Sequence, residues 1–103
     1  MTAYIERHLE LTDGREVIIR FLQPVEDVGQ DSYRCEYIID WPDRRRAFYG
    51  FGVDAVQALV VAMCNSHAEL LSSPEGKAGT LLWLGNRDLG LPLAGALKPE
   101  DFA

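Results

Sequence analysis

Residues 53–73 read VDAVQALVVAMCNSHAELLSS, and they hold the one long helical pattern of the chain. Asp54, with Gln57 three positions on, has the form of a capping box: the Asp54 carboxylate accepts an early backbone N–H while Gln57 reaches back. The helix is therefore predicted to begin near Ala55. It is predicted to end near Ser72, because Pro74 drives the residue before it out of the α region and Gly76 follows. Turning about 100° per residue puts Ala55, Val56, Leu59, Ala62, Met63 and Leu70 on one face, with Val60 and His67 at its margin, and that face is expected to lie on a sheet. The opposite face carries Gln57, Val61, Cys64, Ala68 and Leu71, which is too apolar for a solvated surface. Val61, Cys64, Ala68 and Leu71 are therefore expected to be covered, either by the chain's own C-terminal segment or by a second subunit.

The residues before the helix read as strands in need of that cover. Ala3 to Thr12 alternates, with Ile5, Leu9 and Leu11 against Glu6, His8 and Glu10, and Arg15 to Gln23 sets Val17, Ile19 and Phe21 on one side. A two-residue turn at Asp13-Gly14 would put Leu11 opposite Glu16 and split the apolar faces. A three-residue loop, Thr12-Asp13-Gly14 with Gly14 in the left-handed region, pairs Leu9 with Val17 and Ile5 with Phe21 and brings Glu6 near Arg20, so a bulged hairpin is predicted.

Pro24 closes the second strand, and Glu26 to Asp31 reads as a polar loop. Ser32 to Trp41 and Arg44 to Phe51 form a second hairpin across Pro42-Asp43, with Ala47, Tyr49 and Phe51 assigned to its inner side. Gly50 and Gly52, just before the helix, mark a close backbone approach. Ile18, Leu22, Ile38 and Phe48 are assigned to the sheet face away from the helix, among charged neighbours, as in a contact surface. After the helix, Ser73 to Gly79 reads as a loop and Thr80 to Gly85 as a short fifth strand that could join either edge. The remainder, 86–103, with 91–103 as its irregular C-terminal segment, carries Leu89, Leu91, Leu93, Leu97 and Phe102, which are expected to pack over an apolar strip such as the back of the helix. The order β-β-β-β-α-β gives an α+β single domain over 1–103 with its ordered core at about 3–90. It is a mostly antiparallel sheet of about five strands with one long helix packed across one face.

A chain of 103 residues and 48% hydrophobic content can bury a core without disulfides or a structural metal, and its formal net charge of −6 repels phosphate backbones and anionic membranes. No nucleic-acid or membrane partner is expected. No apolar run is long enough for a membrane span, and MTAYIERHLE lacks the apolar core of a secretory signal, so Cys35 and Cys64 read as reduced core thiols of a cytoplasmic protein.

Few residues carry chemistry. Cys64 and His67 stand one helical turn apart, the start of a nucleophilic pair or of a metal site, but no further ligands or CxxC or HxxxH spacing complete either, and no cofactor or metal is expected. His8, among Glu6 and Glu10, reads as a solvated histidine with a raised pKa. The sharpest feature is the hairpin tip with Trp41, Arg44, Arg45, Arg46 and Phe48, whose guanidinium groups can grip carboxylates or phosphates in bidentate fashion and stack on planar groups, or can simply be a solvated tip that keeps an edge soluble.

The run Gly52-Val53-Asp54-Ala55-Val56-Gln57-Ala58-Leu59, followed by a short strand with Trp83, resembles a group of small uncharacterised bacterial α+β domains over roughly residues 5 to 90. The resemblance implies a stand-alone bacterial domain of the accessory or immunity-like kind, with no catalytic residues to carry over. Function is accordingly expected to be non-catalytic: an acidic protein-interaction domain, alone or as a homodimer, that binds another protein through its outer sheet face and the Arg44 to Arg46 hairpin, in one form as an inhibitor of a basic partner. The alternative is a small-molecule binder or minor enzyme with a cavity between helix and sheet near Cys64, His67 and Tyr37.

Overall fold

The computed structural model describes residues 4–95 and 99–102. Its first two strands, β1 (Ile5–Leu11) and β2 (Glu16–Phe21), pair antiparallel with Leu9 opposite Val17 and Ile5 opposite Phe21, the register that keeps both apolar faces together. Gly14 sits at φ 92°, a dihedral that L side chains rarely adopt, and its N–H reaches the Leu11 carbonyl at 2.9 Å. Glu6 meets Arg20 across the ladder at 3.2 Å.

After Pro24 the chain does not leave the sheet as a polar loop. It rejoins as β3 (Val25–Asp27), alongside β4 (Ser32–Asp40). Phe21 pairs with Tyr37 but Val25 pairs with Arg34, so one extra residue is accommodated around Pro24 and the strand resumes one step out of register. Proline fits there because a bulge needs no ladder donor from it. Next, β5 (Arg45–Gly52) returns along β4 from the Pro42-Asp43 turn, closed by the Trp41 N–H on the Arg44 carbonyl at 2.9 Å. The long helix α1 (Ala55–Ser72) follows, with the predicted ends. The Asp54 carboxylate accepts from the Gln57 N–H at 2.8 Å, while the Gln57 side chain reaches one residue further back than in a standard capping box, to the Val53 N–H at 2.7 Å.

Residues 74–78, expected within a loop, form a short helix α2 (Pro74–Ala78). Ser73 caps it by accepting from the Gly76 N–H at 3.0 Å, and Pro74 occupies the first position, where no N–H is needed. Of the expected fifth strand only Leu81–Leu82 is extended; this β6 joins the β1 edge, opposite Leu11 and Glu10. The chain then reverses at Leu84 and Gly85, both at positive φ, with Trp83 and Asn86 exchanging hydrogen bonds of 2.8 and 2.9 Å. A 3-10 turn, Pro99–Phe102, packs on α1. Ala3 and Leu97, which the pattern places in the first strand and in the apolar tail, lie outside the described residues.

The result is an antiparallel sheet of about six strands with one long helix packed on it. Its spatial order is β6-β1-β2-β4-β5, and β3 continues the line of β2 along β4. The core lies on one face: Leu9, Leu11, Val17, Ile19, Phe21, Cys35, Tyr37 and Ile39 under Ala58, Ala62 and Leu70, with Trp41, Leu81 and Leu89 at its rim.

Two faces differ from the pattern reading, for one reason. A Cβ built on Gly50 would lie 2.5 Å from the Ala62 nitrogen, and one on Gly52 would lie 2.3 Å from the Ala58 nitrogen. The helix therefore rests on bare strand backbone through two alanines, Ala58 and Ala62. The bulkier Val56 and Val60, expected on or beside the sheet, are 72% and 44% exposed. Since Gly50 and Gly52 face the helix, so do Arg46 and Phe48. Ala47, Tyr49 and Phe51, assigned to the inner side, point to the outer face, and Phe48, assigned outside, stands on the helix side opposite Tyr37.

Candidate functional site

The hairpin tip is built from distant elements. Trp41 is buried, with the Arg44 guanidinium 4.1 Å above its ring. Arg44 donates to both oxygens of Glu75 in α2, at 2.9 and 3.0 Å, and to Asp43 at 2.8 Å. These hydrogen bonds hold the Glu75 carboxyl below its ordinary value and raise the Arg44 pKa. Arg45 donates to both oxygens of Asp40 at 2.6 and 3.3 Å, and Arg46 to Glu69 of α1 at 3.0 Å. Asp40 also accepts from Arg20, which carries an ion-pair chain Glu6–Arg20–Asp40–Arg45 across β1, β2, β4 and β5. The three arginines thus share one hairpin, but each is engaged by a carboxylate of its own chain. Glu69 also accepts the Tyr37 hydroxyl at 3.2 Å; burial first, then this carboxylate, raises the Tyr37 pKa.

Between β4 and β5 lies a shallow groove of about 330 Å³ lined by Arg34, Glu36, Ile38, Ala47 and Tyr49 of the outer face, together with Tyr37 and Phe48, whose positions alternate to the helix side. The Arg34 guanidinium lies 3.9 Å over the Tyr49 ring and 6.0 Å from that of Phe51. Its Nε is buried, makes no hydrogen bond among the described residues, and stands 3.6 Å from Glu36. Phe48 stacks on Tyr49 at 4.6 Å, and Tyr49 meets Phe51 edge-on at 5.0 Å. Phe48 and Phe51 remain 53% and 45% exposed. Ile18, Leu22 and Ile38 are half-buried, Ile18 and Ile38 beside the ion-pair chain of that face. Sequence reading misses Arg34, Glu36 and Tyr49. The alternation of β4 places Arg34, Glu36 and Ile38 on one side, but glycines hide the parity of β5 that brings Tyr49 beside them.

On the far side of α1, Cys64 is 9% exposed and Val61, Ala68 and Leu71 are half-buried. Leu71 lines a cleft of about 290 Å³ shared with Leu81, Leu89, Pro99 and Phe102. Arg7 ties residues 89–90 down, donating to the Leu89 and Gly90 carbonyls at 2.9 and 3.1 Å while stacking on Trp83 at 3.9 Å. His67 is buried, its Nδ1 3.2 Å from the Pro92 carbonyl, and burial lowers its pKa despite that partner. Burial also raises both thiols, Cys35 to about 11, which disfavours the thiolate that nucleophilic chemistry needs. His8 bridges Glu16 and Glu6 at 2.9 and 3.1 Å, and those hydrogen bonds raise its pKa.

These features define a small α+β domain, one helix on one face of an antiparallel sheet, with a groove and a row of aromatic rings at the β4–β5 side. Residues 5–93 match the model of a domain of unknown function, DUF6968, and the chain belongs to that family. Neither a curated protein nor a solved structure matches the chain.

Proposed function

We propose that this chain is a non-catalytic, cytoplasmic protein-interaction domain that takes a partner protein on the outer sheet face between β4 and β5. The observation that carries the reading is the groove itself: apolar Ile38 and Ala47, Arg34 held flat on Tyr49, Glu36 beside it, and half-exposed Phe51 next to Tyr49, with Phe48 adjoining from the helix side. Aromatic and arginine side chains around a small apolar recess are the make-up of interaction hot spots. The net charge of −6, with Glu6, Glu10, Glu16 and Glu36 all exposed on strands of the sheet, favours a basic partner, and an inhibitor or immunity-like accessory role is its concrete form.

The arginine tip contributes less than its sequence promises, because Arg44, Arg45 and Arg46 are engaged internally. Its role in the reading is to hold the β4–β5 hairpin against α1 and α2. The test is capture of partners by the wild-type protein, then reassembly of the purified pair. Combining Arg34→Ala with Tyr49→Ala should weaken the pair by tenfold or more, roughly 1.4 kcal/mol or above, with the circular dichroism spectrum unchanged. Equal affinity of wild type and the folded double variant would refute the assignment.

A further inference from the structure

We infer that β5 is also a self-association edge, pairing antiparallel with β5 of a second copy so that two sheets run into one with two α1 helices side by side. Among the described residues β5 has a single neighbour, β4. The direction of its free backbone groups follows from the ladder. The Glu36 carbonyl is taken by the Leu22 N–H on the β2 side and the Arg44 carbonyl by the Trp41 N–H, so even-numbered residues of β4 bond toward β2. Their partners Arg45, Ala47, Tyr49 and Phe51 therefore direct N–H and C=O away from β4, to the open edge. Between Arg46 and Asp54 this edge holds no charge. A long uncharged aromatic edge strand is a template for strand addition.

Three features select a second copy as the occupant. The strand begins with Arg45 and Arg46, each on a carboxylate of its own chain yet 67% and 62% exposed at its side chain, and Asp54 follows its end; antiparallel self-pairing brings the other copy's Asp54 to the exposed side of that cationic start. The helix also fits. It rests on β5 and β4, and with strands about 4.8 Å apart two such helices related by a twofold beyond β5 stand about 10 Å apart, the upper end of the range for packed helices. Finally, the α1 flank above the edge is identified by Asn65, whose amide donates to the Tyr49 carbonyl at 3.1 Å, and its neighbours there are the small, half-buried Val61 and Ala68. Gly50 lies beneath Ala62 and Gly52 beneath Ala58, so α1 runs antiparallel along β5 and a twofold near Tyr49 brings Val61 of one copy to Ala68 of the other, with Arg45 opposite Val53 and so next to Asp54. A carbonyl oxygen accepts two hydrogen bonds, so Asn65 leaves Tyr49 able to pair. The outer-face groove stays open in this dimer, so partner capture and self-association succeed or fail separately.

Sedimentation equilibrium from low micromolar to submillimolar concentration tests the pairing. The wild type should rise from 11.5 kDa to twice that mass. Ala47→Pro removes an edge N–H without touching a β4 bond, and Val61→Arg sets a charge on the helix flank; each should stay monomeric with a native circular dichroism spectrum. Under mild oxidation, a mixture of Val61→Cys and Ala68→Cys copies should form a covalent dimer that neither variant forms with itself. That arm decides the matter if a monomeric variant is also unfolded. A wild type that remains at monomer mass throughout, or a dimer that persists in both folded variants without the mixed cross-link, would overturn the inference.

Discussion

Replacing Gly50 with alanine should unfold this protein at a markedly lower temperature, although its backbone dihedral does not demand glycine. Gly50 is not among the glycines at positive φ, so on the chain's own account alanine should help, by about 0.4–1 kcal/mol through a less flexible unfolded state. Opposing this, the new Cβ would lie 2.5 Å from the Ala62 nitrogen, 2.8 Å from the Val61 carbonyl carbon and 2.9 Å from the Ala62 Cα. All three are backbone atoms of a helix held at both ends, so no rotamer change relieves the clash. The helix must rise from β5 by about 1 Å, loosening the contacts of Ala58, Ala62 and Ser66. Overpacking of this kind costs about 1–3 kcal/mol, and with no flexible atom to absorb it the upper half applies, leaving a net loss of about 2 kcal/mol. At 4–8 °C per kcal/mol for a domain of this size, Tm should fall by roughly 8–16 °C. Urea unfolding gives the free energy and calorimetry the midpoint. Gly29→Ala is the contrast, since nothing lies within 4 Å of its built Cβ and only its φ of 90° penalises the change. Ala62→Gly should fail to rescue Gly50→Ala, because the obstructing atoms remain. Wild-type stability in Gly50→Ala, or full rescue by Ala62→Gly, would refute the reasoning that α1 is seated directly on strand backbone.

Two further outcomes follow from the charged and buried groups. His67 is buried and its pKa is lowered from 6.5, so the unfolded state takes up its proton first: stability is fully present above pH 6.5 and is lost as pH falls from there toward the folded value. His8 has the opposite sign, its raised pKa giving stability that is present below 6.5 and lost as pH rises through the folded value. Chemical unfolding at pH 7.5, 6.5 and 5.5 should therefore show a shallower acid loss in His67→Gln than in wild type, and an equal slope would count against a neutral, buried His67. Arg44→Ala removes a bidentate pair with Glu75 and a cation–π contact with Trp41, both partly solvated, and should destabilise by about 1–2 kcal/mol in urea, with Arg44→Lys recovering less than half. A lysine variant as stable as wild type would show that the planar fork is dispensable.

Elements whose side chains announce their face are legible in the amino-acid sequence. Strict alternation in β1 and β2 decides even the parity of their loop, because a one-residue slip would expose Val17, Ile19 and Phe21 together. The ends of α1 are legible for a similar reason, with Asp54 and Pro74 each acting locally. Where the face is marked by the lack of a side chain, the pattern fails. Glycine and alanine carry almost no hydrophobic signal, yet Gly50, Gly52, Ala58 and Ala62 make the closest contact between helix and sheet. Weighting by bulk therefore turns α1 toward Val56 and reverses β5. The Ser73-Pro74 helix start is readable but is outweighed by Gly76 and Gly79. The candidate site divides the same way: three arginines in a row are conspicuous, and Asp40 stands across the same hairpin from Arg45, whereas Glu69 and Glu75, which engage Arg46 and Arg44, come from the two helices and only the fold brings them there.

The same glycines link the packing to the two surfaces. Any side chain at positions 50 and 52 would lift α1 off β5 and leave β4 to carry it, drawing the helix toward the sheet's middle. Seated on bare backbone, α1 instead sits over the last strand, where Asn65 reaches the Tyr49 carbonyl and Arg46 reaches Glu69. That seating turns Tyr49 and Phe51 to the outer face, where Arg34 stacks on them, and leaves Val61 and Ala68 above the open edge. The groove and the edge are thus two consequences of one close approach. A substitution that lifts the helix should disturb both together, whereas one confined to Arg34 or to Ala47 should disturb only its own.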